Sequence, residues 1–425
     1  MLDFLNLLGV GNFDRPTGEK YLSTVNPSLL HQVNISGNQP PWLARPLYGF
    51  AAPVIILITL FTNSFVVAVL SNKNLRTPTN AILLSMAITE LMTGLSSSPW
   101  FLYYYTFGGY LEDISIGLSP LWCTIHPYFA VHLPTVFHTA AIWLTVYLAI
   151  QRYIYVCMPS LVVRFCTPER TKHIIIYICL AAFLSEMPPM LTEYSVLIPI
   201  EHMRFCYRKD IDLVEEKIGV NAWRAGLLVS KAVFVHILPC VLLIIFTAGL
   251  FKTVERADRK RSVHQMPCRK NTSGCLSSNR LMHATTRMLV VVIAIFLIIE
   301  IPVALIFITH LIVVFYKFQH PYMYLIVNNL LIIRNFLIIL TYPLNFAIYF
   351  GMSSSFKLQF RQLFSKKTLY IASPHTDTTA ASWRPRFSIQ LIDIHKLRRP
   401  SRPRKSFERS RLSTSPLEPM GLQDD

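Results

Sequence analysis

The strongest constraint on this chain is a set of long stretches without a single Asp, Glu, Lys or Arg. Pro46–Asn72, Ile114–Gln151 and Ala232–Phe251 are all of this kind. A helix needs roughly 20 apolar residues to cross the hydrocarbon core of a bilayer, and each stretch supplies them. Further stretches with one interior charge have the same length. Together they predict spans at Leu47–Leu70, Asn80–Phe107, Cys123–Tyr155, His173–Ile198, Ala225–Phe251, Arg287–Phe315 and Tyr322–Phe350. The expected architecture is an all-α membrane protein, a seven-transmembrane helix bundle over residues 47–352. The fourth span has the most broken pattern, because Glu186, Pro188 and Pro189 interrupt it.

A net charge of +17 would fit nucleic acid only if the basic residues formed a soluble face. They lie instead between the apolar stretches and in the last seventy residues, so no nucleic-acid partner is expected. With the N-terminus outside, the three inner loops carry two, four and nine lysines and arginines, and the tail carries fourteen. That is the positive-inside arrangement, and it predicts a multi-pass protein of the plasma membrane with a cytoplasmic C-terminus. Residues 1–46 are then an extracellular segment. Its start lacks the basic region and cleavage site of a signal peptide, so the first span is expected to act as the targeting signal. Asn34-Ile35-Ser36 is a glycosylation sequon on the outer side, though Asn271-Thr272-Ser273, on the inner side, shows that such strings also arise by chance.

Of eight cysteines, this topology puts only Cys123 and Cys206 on the oxidising side, where two thiols pair. Cys179 and Cys240 fall inside spans as small apolar residues. The six-residue spacing of Cys268 and Cys275 is not a zinc motif. No catalytic constellation such as H-E-x-x-H or G-x-S-x-G is present, so an enzyme is not expected, and no cofactor is implied. A transporter or channel, the alternative from another class, would call for inverted repeats or an ion-lined path, which are not seen.

The ordered motifs add a resemblance. Asn63 in "LFTNSFVV", "LRTPTN" (Leu75–Asn80), Arg152 in "LAIQRYIYVCMP", Pro239, "FLIIEIP" (Phe296–Pro302) and "NFAIY" (Asn345–Tyr349) stand in the order of a rhodopsin-like, class A G-protein-coupled receptor. Gln151-Arg152-Tyr153 replaces that family's Asp-Arg-Tyr, Glu300 its sixth-helix tryptophan, and Phe346 its seventh-helix proline. Within the family the set is similar to the invertebrate receptors for sex peptide and myoinhibitory peptides, with the myosuppressin and FMRFamide-like peptide receptors as neighbours. The resemblance implies a neuropeptide receptor for a short amidated peptide, coupled to an inhibitory heterotrimeric G protein. The seventh span holds no lysine for retinal, and Ile114–Gln151 holds no acid for an amine.

The resemblance assigns coupling and activation to Arg152, Gln151, Tyr153, Asn345, Tyr349 and Pro302. Gln151 brings no charge to Arg152, and Met282 stands where a second acid often lies, so the resting state is expected to lack both ionic restraints. Asn63, Glu90, Asn345 and Glu300 form a candidate buried polar cluster, since carboxylates at membrane depth are costly and functional by default. Sodium near Glu90 is left open by the extra methylene and by Ala141. For Glu300 three roles stand open: meeting a ligand cation, holding an ion, or acting as a buried donor. The candidate ligand pocket comprises Glu300, His138, Trp100, Tyr103, Tyr104 and Arg334. For the aromatics of "SSPWFLYYYTF" an interfacial belt stands beside the pocket wall, and for His138 a satisfied interhelical donor stands beside the pocket floor. Cys123 and Arg152 are 29 residues apart, about 43 Å of helix at about 1.5 Å per residue. Either Cys123 lies in a loop before the third helix, or a bulge near Pro134 takes up the excess.

Residues 353–367 place Phe356, Phe360, Leu363 and Phe364 on one face of a short amphipathic eighth helix lying on the bilayer. Residues 368–425 have the composition of a disordered basic tail. "RRPS" and "RKS" make Ser401 and Ser406 candidate kinase sites, with arrestin as the partner such phosphates would recruit.

Overall fold

The structure is a computed structural model and describes residues 31–72, 77–200, 202–263, 321–352 and parts of 291–312 and 356–361. Six described helices are long and apolar enough to cross a membrane: α1 (Pro41–Leu70), α2 (Pro78–Thr106), α3 (Pro120–Cys157), α4 (Pro168–Thr192), α5 (Val220–Thr253) and, after α6, the Leu325–Leu344 portion of α7. The apolar helix Ile293–Ile306 is α6 and runs across positions outside the described residues. The whole of α7 is Pro321–Met352.

Three spans start by the same local chemistry. Thr77, Ser119 and Thr167 each accept a hydrogen bond from a backbone N–H of the first turn, and Pro78, Pro120 and Pro168 follow at the first helical position. A hydroxyl cap satisfies an orphan donor, and proline there has no donor to lose. Four spans contain a π-helical segment in the half that precedes or follows their outer loops: Arg45–Ala51, Phe101–Thr106, Tyr128–His132 and Ala232–Ile237. The segment at Tyr128–His132 answers the spacing question in α3. Cys123 is inside the helix, and the widened turn just before Pro134 takes up the excess length.

Two expectations change. Residues 41–46, read as part of the N-terminal segment, are already helical. The fourth helix ends at Thr192 rather than Ile198, and the chain passes directly into β2 (Glu193–Ile200), which pairs antiparallel with β3 (Met203–Asp210). The short β1 (His31–Gln32) adds to the free edge of β3, giving the order β1-β3-β2. The apolar count over Glu193–Ile200 suits a span, but a short apolar run rich in Val, Ile and Tyr suits a strand equally, and β3 is there to pair with it. Pro188 and Pro189 do not end α4, which runs one turn beyond them.

Side chains sort by environment. Val54, Leu57, Ile176, Tyr177 and Leu180 are exposed, as lipid-facing residues of α1 and α4 must be. Tyr48, Trp100, Phe101, Tyr104 and Tyr105 close one core cluster, and Val66, Ile82, Leu144 and Leu148 close another. Phe356 is buried in the second cluster, with Phe360 packed against it. That contact anchors the described part of the amphipathic segment, while Leu363 and Phe364 lie outside the described residues. So does the whole tail with Ser401 and Ser406, as do Cys268, Cys275, Asn271 and Met282.

Candidate functional site

Helical periodicity lines up the floor of the bundle. On α3, His138, Ala141 and Thr145 are spaced three and four residues apart, and on α7 so are Arg334, Ile338 and Thr341, which places each set on one face. His138, Ala141, Thr145, Ile338 and Thr341 line an internal cavity of about 30 Å³ that also touches Glu90, Glu300 and Tyr342. That volume admits a water or two.

Glu300 is 2% exposed and is held from two sides. Its Oε1 lies 3.3 Å from His138 Nε2 and its Oε2 3.5 Å from His236 Nδ1. Arg334 Nη2 lies 3.4 Å from the same His138 Nε2, and Arg334 Nη1 donates to Asn335 Oδ1 at 2.9 Å. Helices α3, α5, α6 and α7 therefore meet at one polar knot. The sequence reading named Glu300, His138 and Arg334. It missed His236, although the polar-at-membrane-depth signal that found the others applies equally to it.

Asn63 Nδ2 donates to Glu90 Oε2 at 3.3 Å, both residues being buried. The cavity joins Glu90 to Glu300, so three of the four members of the expected polar cluster share one region. The side chains of Asn345 and Tyr349 lie outside the described residues.

A second polar knot was not foreseen. Glu186 of α4 is fully buried. Its Oε2 accepts from Lys231 Nζ of α5 at 3.1 Å and lies 3.3 Å from His132 Nδ1 of α3. Glu186 Oε1 has no hydrogen-bond partner among the described residues. In the sequence Glu186 registers only as an interruption of an apolar span, since its partners come from two other helices.

The aromatic stretch of α2 is largely packed inside the protein. Trp100, Tyr104 and Tyr105 are buried: Trp100 and Tyr104 pack toward α3 and the first outer loop, and Tyr105 packs on Tyr48 of α1 and donates to Gln39. Trp100 stacks on Tyr104 at 4.6 Å and meets Trp122 and His126, while Tyr103, partly exposed, stacks on Trp122 at 4.4 Å. Tyr104 donates to Asp113 Oδ2 at 2.6 Å. Burial raises the Asp113 carboxyl above its ordinary range, with the Tyr104 hydrogen bond opposing.

The hairpin covers this end. Cys123 and Cys206 form the expected disulfide, with Cα atoms 5.8 Å apart. Arg204 of β3 adds an ion pair to Glu112 at 2.7 Å, and its N–H donates to the Ile116 carbonyl at 2.6 Å. Gly117 has φ +94°, and a side chain there would run into the Arg204 carbonyl, so glycine is required at this approach. Asn34 is exposed and its Oδ1 accepts from Gly37 N–H at 2.8 Å.

At the opposite end, Arg152 and Gln151 are buried. Gln151 Oε1 accepts from Thr79 Oγ1 at 2.9 Å. Arg152 sits over the Tyr155 ring at 5.7 Å, and its Nε has no acceptor among the described residues. Tyr153 meets Phe246 of α5 edge-on at 5.5 Å. Pro302 lies exposed on α6.

The model of the seven-transmembrane receptors of the rhodopsin family matches residues 62–349, and the chain belongs to that family. It is a receptor rather than an enzyme, it crosses the membrane several times, and its partners are a ligand and a heterotrimeric G protein. Among particular relatives, it is 33% identical over 340 residues to the sex peptide receptor of Drosophila melanogaster, covering 78% of this chain and 75% of that one. It is 31% identical over 334 residues to sex peptide receptor-related protein 2 of Caenorhabditis elegans, with 75% and 71% covered. The alpha-2A adrenergic receptor of Danio rerio is 26% identical over 223 residues, about half of each chain.

Proposed function

We propose that this protein is a neuropeptide receptor that binds an amidated peptide of the myoinhibitory or sex-peptide type from outside the cell and signals through a G protein of the inhibitory class. The observation that carries this reading is the similarity to two sex peptide receptor relatives across about three quarters of the chain. The adrenergic likeness covers only half of it, and α3 offers no carboxylate to an amine. In this reading the N-terminus is outside, Asn34 is a glycosylation site, and the hairpin covers the peptide entrance. Arg152, free of any carboxylate among the described residues, receives the G protein when the helices part.

The test is cyclic-AMP inhibition in cells expressing the chain, against a panel of amidated neuropeptides. Tryptophan-containing peptides are expected to act, and Arg152→Ala is expected to abolish the response at matched surface expression. A response confined to FMRFamide-like or myosuppressin peptides would move the receptor to the neighbouring ligand class. An undiminished response in Arg152→Ala would remove the role given to that residue.

Gln151 supplies a further prediction. With no acid beside Arg152, the resting bundle relies on packing and on the Thr79–Gln151 hydrogen bond. Gln151→Asp adds a carboxylate next to the guanidinium and is expected to lower ligand-independent signalling severalfold. Equal basal signalling in the variant and the wild type, at equal surface density, would overturn the idea that the missing acid loosens the resting state.

A further inference from the structure

We infer that Glu300 sets the chemical class of ligand terminus that Arg334 receives, admitting an uncharged carboxamide and refusing a carboxylate. The inference rests on the peptide reading above and concerns the same site.

Arg334 has donors to give. Its Nε is buried without a partner among the described residues. Its Nη2 faces His138 Nε2 at 3.4 Å, the nitrogen that also faces Glu300 Oε1 at 3.3 Å. One ring nitrogen cannot donate to a carboxylate and accept from a guanidinium at the same time. When the proton on Nε2 serves Glu300, Arg334 is left with Nη2–H and Nε–H to offer an incoming oxygen. Arg334 also lies one turn before Ile338 on the cavity-lining face of α7, on the side from which a ligand in the outer half of the bundle would come.

The charge of that oxygen is then decided by Glu300. Glu300 and Arg334 touch the same histidine nitrogen, so the guanidinium is already balanced by a carboxylate that is 2% exposed. A carboxamide oxygen takes the spare donors and leaves the knot neutral. A carboxylate would put two anions around one cation, away from water, where like charges repel strongly.

The test compares each peptide of the panel as its C-terminal amide and as its free acid, on the wild type, Glu300→Gln and Glu186→Gln, by cyclic-AMP inhibition at matched surface expression. Glutamine keeps the size and hydrogen bonding of Glu300 and removes its charge. The wild type is expected to favour the amide, and Glu300→Gln to shrink the amide-to-acid potency ratio by about tenfold or more, the scale of one like-charge contact in a binding site. Glu186→Gln makes the same change at the other buried carboxylate and is expected to leave the ratio alone. A ratio unmoved by Glu300→Gln, or moved equally by Glu186→Gln, overturns the inference while the peptide reading stands. Silence of the wild type to every peptide in both forms overturns the peptide reading, and the inference falls with it.

Discussion

Glu186→Ala is expected to destabilise the receptor by about 3–5 kcal/mol, the cost of removing one partner from a buried ion pair. Glu186 is fully buried and is the only carboxylate within salt-bridge reach of Lys231 and His132 among the described residues. Its loss strands an ammonium group between α3, α4 and α5 and leaves a methyl-sized side chain in place of a filled site. The thermal midpoint of purified receptor in detergent, together with surface delivery in cells, measures the effect. Glu186→Leu combined with Lys231→Met removes both charges and is expected to recover most of the loss, because two well-packed apolar residues often equal a buried pair. A midpoint equal to the wild type's in Glu186→Ala would mean that lipid or water already solvates Lys231.

Cys206→Ser is expected to weaken agonist potency by at least tenfold and to reduce surface delivery. The disulfide closes a separation of 83 residues, for which chain entropy alone would give about 4–5 kcal/mol in a soluble protein. Here α3 and α4 are already held by the bilayer, so the loss falls on the hairpin instead. Arg204 keeps its contacts to Glu112 and Ile116, and Asp210 its 2.8 Å pair with Arg224. The hairpin therefore loosens at its centre rather than leaving altogether. Cys123→Ser and the double variant should match Cys206→Ser, since all three remove one and the same bond. Dose–response curves at equal surface density check this, and a wild-type potency in any of them would deny the disulfide a part in ligand binding.

The bundle was legible in the residues because its signals are local. Uncharged stretches of span length need no tertiary information to be recognised, and the Thr-Pro and Ser-Pro starts of α2, α3 and α4 are capping chemistry complete within four residues. Glu90, Glu300, His138 and Arg334 stood out for the same kind of reason: a charged or polar side chain at membrane depth has a cost that its own neighbours reveal. The pairing of Cys123 with Cys206 followed from topology, which leaves two thiols on the oxidising side.

What failed were the features that depend on which helices touch. Glu186 looked like a flaw in an apolar span until α3 and α5 brought His132 and Lys231 to it from 54 and 45 residues away. His236 joined Glu300 only because the π-helical turn Ala232–Ile237 changes the register of α5 by a residue, which no apolar period announces. The inward packing of Trp100, Tyr104 and Tyr105 of α2 likewise depends on partners from other segments, Trp122, Asp113 and Tyr48. The β2–β3 hairpin needed a partner strand to take Glu193–Ile200 away from α4.

The sequence by itself thus determined the number and order of the spans, the family, the disulfide and the residues too costly to be incidental, because hydrophobic length and burial cost are properties of single segments. The tertiary structure alone decided the partners of those costly residues, Glu300 with two histidines and Arg334, Glu186 with His132 and Lys231, Gln151 with Thr79. Those pairings arise from the rotation of one helix against another, and a shift of one residue in a helix turns its side chains by about 100°.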